Sequence, residues 1–186
     1  KSLPSRNLSL SGRVTYGYDS RYLAEVNFGY NGSERFDKNH RFGFFPSIGL
    51  AWNMAEEAFM SPYKDIFDKI KIRGSYGLVG NDAIGSEYDR FFYLSQVNAD
   101  AEGYSFGTAY NQTLAGYAIS RYGNSDITWE KSAKADLALE LGLINALDFE
   151  IDFFKEKRTN ILMSRANIPG SMGLTATPQA NVGEAA

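Results

Sequence analysis

Leucine occupies every second position from Leu137 to Leu143 in ADLALELGL, with Asp136, Ala138, Glu140 and Gly142 between. On a helix, at about 100° per residue, residues two apart point to opposite sides and build no single apolar stripe. On a strand they share one face. The spacing therefore overrides the helix propensity of Ala, Leu and Glu. It predicts a strand with one apolar and one polar face.

The same period recurs in segments 8–18, 22–30, 44–54, 70–78, 133–143 and 147–153, six in all and most of them 9–11 residues long. Strands in soluble domains run nearer 5–6 residues, whereas a tilted strand crossing a bilayer needs about 9–11. The connections alternate in length. Residues 19–21 and 144–146 are tight turns, 31–43 is a longer polar loop, and 79–132 is a very long excursion. The chain after about 158 reads as long loop again, and 55–68 (AEEAFMSPYKDIFD) reads as a short helix with Glu56 and Glu57 near its start.

Parity then pairs Tyr18 with Tyr22 and Leu143 with Leu147 across three-residue loops. It sets Gly12 opposite Phe28 and Thr15 opposite Glu25. Tyr16, Tyr18, Tyr22, Phe44, Trp52 and Tyr76 fall near segment ends, and Val14, Val26, Ile48, Leu50 and Leu139 fall mid-span. That is the aromatic girdle of a membrane barrel, although Phe28 and Phe149 depart from it. The expected fold is all-β, an antiparallel transmembrane β-barrel segment of about six long strands. A soluble β-fold explains the alternation equally well, but not the strand lengths or the sorting of aromatics.

Several chemistries are excluded. The formal charge of -3 offers no basic field for nucleic acid. With no cysteine there is no disulfide framework, thiolate site or cysteine nucleophile. His40 is the single histidine and sits in the polar loop DKNHRFG, so triads and common zinc sites lack their residues. Glu56 and Glu57 read as helix-start charge rather than as an acid–base pair. The expectation is no enzyme. NADAEG at 98–103 places Asn98, Asp100, Glu102 and Gly103 like the front of a calcium loop, but Ala109 stands where the closing ligand belongs. No cofactor is expected, and calcium in an external loop is the weaker alternative.

Four stretches carry a family resemblance: YDSRYLAEVNFGYNGSERF, RFGFFPSIGLAW, the EEAF turn, and KIKIRGSYGLVGND at 69–82. Downstream, ITWEKS at 127–132, IPGSMG at 168–173 and NVGE at 181–184 continue it in order, weakest across 98–126. Together they resemble the C-terminal half of the barrel in SusC/RagA-type TonB-dependent transporters of Bacteroidetes. The resemblance implies a barrel of about 22 strands closed by a plug, in the outer membrane of a Gram-negative bacterium. It implies import of oligosaccharides or peptides under a SusD-like lipoprotein lid, energised by TonB through N-terminal segments. Residues 1–186 would then be a partial barrel domain, with long extracellular loops and the short helix in a periplasmic connection. Signal peptide, TonB box, plug and final strands would lie outside it. A passive outer-membrane porin-type barrel is the alternative function, and a soluble carbohydrate-binding β-domain the more distant one.

Aromatic faces stack on sugars and cover apolar peptide side chains. The candidate ligand-contacting residues are therefore Tyr88, Tyr93, Tyr104, Tyr110, Tyr117 and Tyr122 in the long excursion. Their competing role is to pack the loop on itself or against a lid. Arg13, Glu25, Lys71, Arg73, Lys134, Asp136 and Glu140 read as a wetted barrel wall, with outer-membrane lipid against the opposite face.

Overall fold

The alternating segments are strands in a computed structural model that describes residues 6–84, 90–144 and 146–186. They are β1 (Asn7–Tyr18), β2 (Tyr22–Ser33), β3 (Phe42–Asn53), β4 (Phe67–Asn81), β5 (Gln96–Phe106), β6 (Gln112–Arg121), β7 (Glu130–Leu143), β8 (Leu147–Ser164) and β9 (Gln179–Ala185). Seven of them form one antiparallel sheet in the order β1-β2-β3-β4-β7-β8-β9. β5 and β6 pair separately as a two-stranded ribbon.

Each neighbour in the large sheet is also next in sequence, except where β7 follows β4 across the ribbon. Up-and-down order puts the connections 19–21, 54–66 and 144–146 at one end. Those at 34–41, 82–129 and 165–178 lie at the other. One end thus carries the two tight turns and the 13-residue connection 54–66, and the other carries 34–41, 165–178 and the longest loop, 82–129, which approaches the asymmetry of outer-membrane barrels.

The expected registers hold. Tyr18 pairs with Tyr22, Gly12 with Phe28, Thr15 with Glu25 and Leu143 with Leu147. Asp19 and Ser20 both take positive φ, and Arg21 N–H donates to the Tyr18 carbonyl at 3.0 Å. That is a primed turn, whose twist suits a hairpin. Of the 144–146 turn, Asn145 lies outside the described residues.

The apolar face has no cover. Val14 is 69% exposed, Leu50 58% and Leu137 53%. A continuous bare sheet face of this kind marks contact with lipid or protein. Phe28 breaks the aromatic sorting because it fills a hole: a Cβ on Gly12 would lie 2.5 Å from its ring. Phe149 stands one outward step from the 144–146 turn, so it belongs to the lower girdle after all.

The structure corrects the sequence reading in four places. There are nine strands, not about six. The 55–68 connection holds no single helix but two 3-10 segments, Met54–Glu56 and Ala58–Tyr63, with Pro62 inside the second. Between them Glu57, extended at φ -73 and ψ 146, is the N-cap of the second segment, but its side chain makes no capping hydrogen bond. β8 runs on to Ser164, past the expected loop start near 158. Finally, 98–103 lies inside strand β5, extended rather than curled around a point.

Candidate functional site

The polar face of the sheet is a knit charge network rather than a set of independent wet side chains. Strand pairing sets Arg73, Ala138 and Asp152 in one cross-strand row. Ala138 is small, and this leaves room above it for the Arg73 guanidinium. Arg73 donates to Glu150 at 2.5 Å, Asp152 at 2.9 Å and Glu140 at 3.1 Å, with Asp136 at 3.8 Å. Ala138 is left 1% exposed beneath this fan. Glu140 also takes Lys69 at 2.7 Å and Lys71 at 3.9 Å. Further along the wall Arg13 pairs with Glu25, which accepts a second bond from Asn27 at 2.7 Å. An open trough of about 570 Å³ runs between these groups, lined by Gly17, Gly49, Ala51, Ser75 and Asp136 among others.

At the long-loop end the motifs converge on one hydrophobic core of Phe36, Phe45, Ile84, Phe92, Ile127 and Trp129, with Leu162 against it. The Trp129 ring centroid lies 5.3 Å from those of both Phe36 and Phe45, and its indole N–H donates to the Arg41 carbonyl at 3.1 Å. Polar ties surround this core. Arg35 donates to the Ile84 carbonyl at 3.2 Å, and His40 Nδ1 lies 2.9 Å from the Ser125 carbonyl. Arg90 pairs with Glu34. His40 is thus a loop tie, and the loops 34–41 and 82–129 share one platform.

The ribbon β5–β6 rises from that platform and carries three of the six candidate tyrosines. Tyr104 is 67% exposed, Tyr110 72% and Tyr117 80%. Tyr104 meets Phe106 edge-on at 5.1 Å. Tyr93 and Tyr122 are half-buried at the ribbon's base, and Tyr93 packs edge-on against Phe91 at 6.0 Å. Tyr88 lies outside the described residues. The candidates therefore divide into an exposed set on the ribbon and a partly packed set below it. Among the described residues no cluster of three or more His, Asp or Glu is arranged to hold a metal ion.

At the short-turn end Glu57 gathers three partners that sequence inspection missed. The Tyr22 hydroxyl donates to it at 2.6 Å, the Trp52 indole at 3.1 Å and Arg21 at 3.3 Å. The Tyr22 bond, then those of Trp52 and Arg21, hold the Glu57 carboxyl below its ordinary range, with burial opposing. Its carboxylate also helps Asp19 raise the Arg21 guanidinium. The available signal was positional. Tyr22 and Trp52 are cross-strand partners, and Glu57 follows Trp52 by five residues.

Comparison with known proteins follows this geometry closely. The family described as TonB dependent receptor-like, beta-barrel, matches residues 2–185. TonB-dependent receptor P3 of Formosa agariphila is 33% identical over 95% of this chain and 17% of its own length. TonB-dependent receptor SusC of Bacteroides thetaiotaomicron is 31% identical, again over 95% of this chain and 17% of its own. The structure of the RagAB peptide transporter superposes with a TM-score of 0.75 at 25% identity, over 96% of this chain and 18% of that one. The chain thus spans about a sixth of the length of the relatives it matches.

Proposed function

Since the chain belongs to the TonB-dependent receptor β-barrel family, we propose that it is one wall of a SusC/RagA-like outer-membrane importer. Its apolar face meets lipid, its charged face lines the lumen, and its long loops shape the extracellular mouth. The observation that carries this reading is the coexistence of a bare apolar sheet face with a charge network on the other side. In a water-soluble sheet such an apolar face would be covered. Open edges within lipid would leave backbone groups unpaired, so β1 and β9 continue into further strands of the same polypeptide. Oligosaccharides or peptides are the cargo class, and the exposed ribbon tyrosines Tyr104, Tyr110 and Tyr117 meet cargo or a SusD-like lid. TonB supplies energy through segments beyond these residues.

The test uses the complete polypeptide in its own outer membrane. Uptake of a labelled oligosaccharide or oligopeptide mixture is measured with and without a functional TonB. Loss of uptake on removing either the protein or TonB is the expected result. Uptake that survives TonB loss would point instead to a passive porin-type barrel. A protein absent from the outer-membrane fraction would overturn both.

A further inference from the structure

The lipid-facing register is uncharged except at one place. Following strand pairing through β1, β2, β3, β4, β7 and β8, the described residues that share the outward register with Val14, Leu50 and Leu137 include three charged side chains. These are Lys131, Lys155 and Lys157. All are cationic, all sit on the adjacent strands β7 and β8, and all lie toward the long-loop end. The inward register, by contrast, carries both signs in close pairs.

Their height is fixed by the strand. β8 enters the apolar layer at Leu147 and presents Leu147, Phe149, Ile151 and Phe153 outward. A tilted strand leaves the hydrocarbon after about 9–11 residues. Counting from Leu147, Lys155 is ninth and Lys157 eleventh, which sets both at the headgroup level. Tyr76, Ala135 and Lys155 share one cross-strand row, and Leu78, Ala133 and Lys157 the next. Tyr76 is 53% exposed, as an interfacial tyrosine should be. The two small alanines separate Tyr76 and Leu78 on one side from the lysines on the other. Lys157 meets Glu184 at 3.2 Å with both side chains more than half exposed, a contact that contributes little and yields to a stronger anion. Lys155 and Lys131 have no ion-pair partner among the described residues.

We propose that Lys155 and Lys157, flanked by Lys131 and floored by Ala133 and Ala135, bind the phosphate of an anionic lipid in the outer leaflet. An ammonium at this depth gains from an anionic headgroup what it cannot gain from hydrocarbon. The inference rests on the membrane-spanning reading above.

The test takes the full-length protein, extracted in mild detergent and offered phosphatidylglycerol or phosphatidylcholine, with retained lipid counted by native mass spectrometry. Preferential retention of phosphatidylglycerol is expected, falling about five-fold for each lysine removed in K155Q and in K155Q/K157Q. E184Q, which frees Lys157, should raise retention. K134Q, a lumen-facing lysine on β7, should leave it unchanged. Equal retention of the two lipids, or equal loss in K134Q, overturns the site. Unchanged retention in K155Q overturns it even where the double variant does not assemble. Absence of the wild-type protein from the outer-membrane fraction instead overturns the importer reading, so the two failures are distinguishable.

Discussion

Asn181 and Thr128, 53 residues apart in the chain, exchange two hydrogen bonds. The Thr128 amide donates to Asn181 Oδ1 at 2.9 Å, and Asn181 Nδ2 donates to the Thr128 carbonyl at 3.0 Å. Nδ2 also donates to the Asn160 carbonyl at 2.7 Å. One amide side chain thus stands in for a peptide group and ties the end of the long excursion to β8 and β9. NVGE and ITWEKS, distant in sequence, are parts of one clamp.

Asn181→Ala removes that clamp and leaves the Thr128 amide and carbonyl and the Asn160 carbonyl short of a partner. Unsatisfied groups of this sort cost about 1–3 kcal/mol. The excursion between 90 and 129 should then exchange amide hydrogens faster, while β1–β4 stay protected. Hydrogen exchange on the full-length protein in detergent reads both at once. Equal protection of the excursion in variant and wild type would show that the clamp is dispensable.

The hairpins were legible because parity is a local rule. Once Tyr18 and Tyr22 share a face across a short turn, Gly12 against Phe28 follows by counting. β5 and β6 were not legible, because Ala99, Ala101, Gly103, Ala115 and Gly116 blunt the contrast between faces and the pairing slips three times. The mouth core was illegible for another reason. Phe36, Ile84, Phe92 and Ile127 lie in loops without periodicity, and strand topology brings them together. The charges of the wall were seen, but their convergence on Arg73 required the register of β4, β7 and β8. Glu57 does stand at a helix start, but the partners of its carboxylate were not legible because they come from the 19–21 turn, β2 and β3.

Phe45 supports the mouth from within the barrel wall. Its ring covers Gly43 and Gly80, and a Cβ on Gly80 would fall 1.9 Å from it. Phe45→Ala should destabilise this end by about 3–5 kcal/mol, as for other buried aromatic truncations. Gly80→Ala should loosen the same region by forcing the ring aside. Protease nicking confined to the long-loop end, with the strands intact, is the expected signature for both variants.

Glu57 gives the short-turn end a pH response with a defined sign. Its folded-state pKa is depressed, chiefly by the Tyr22 hydroxyl and then by Trp52 and Arg21. Its stabilising contribution is therefore complete above the ordinary carboxylate range. That contribution is lost as pH falls through the lower, folded value. Tryptophan emission followed from neutral pH downward should show a step below the ordinary carboxylate range, from release of the Trp52 indole. Glu57→Gln should abolish the step. A step of the same size in that variant would assign it to another group.

Facing is tested most directly at neighbouring residues of β7. Leu139 points outward among Ile72 and Ile151, whereas Ala138 points inward beneath Arg73. Leu139→Arg places a charge against hydrocarbon and should oppose assembly by about 2–4 kcal/mol at mid-bilayer depth. Ala138→Ser adds a hydroxyl beside carboxylates that can accept its hydrogen bond, so assembly should persist. Heat-modifiable migration of the full-length protein from outer-membrane fractions measures the folded share of each. The arginine variant should be largely unfolded or absent, and the serine variant close to wild type. Equal assembly of the two would mean that the Leu137–Leu143 face does not meet lipid, and a protein partner would then have to cover it.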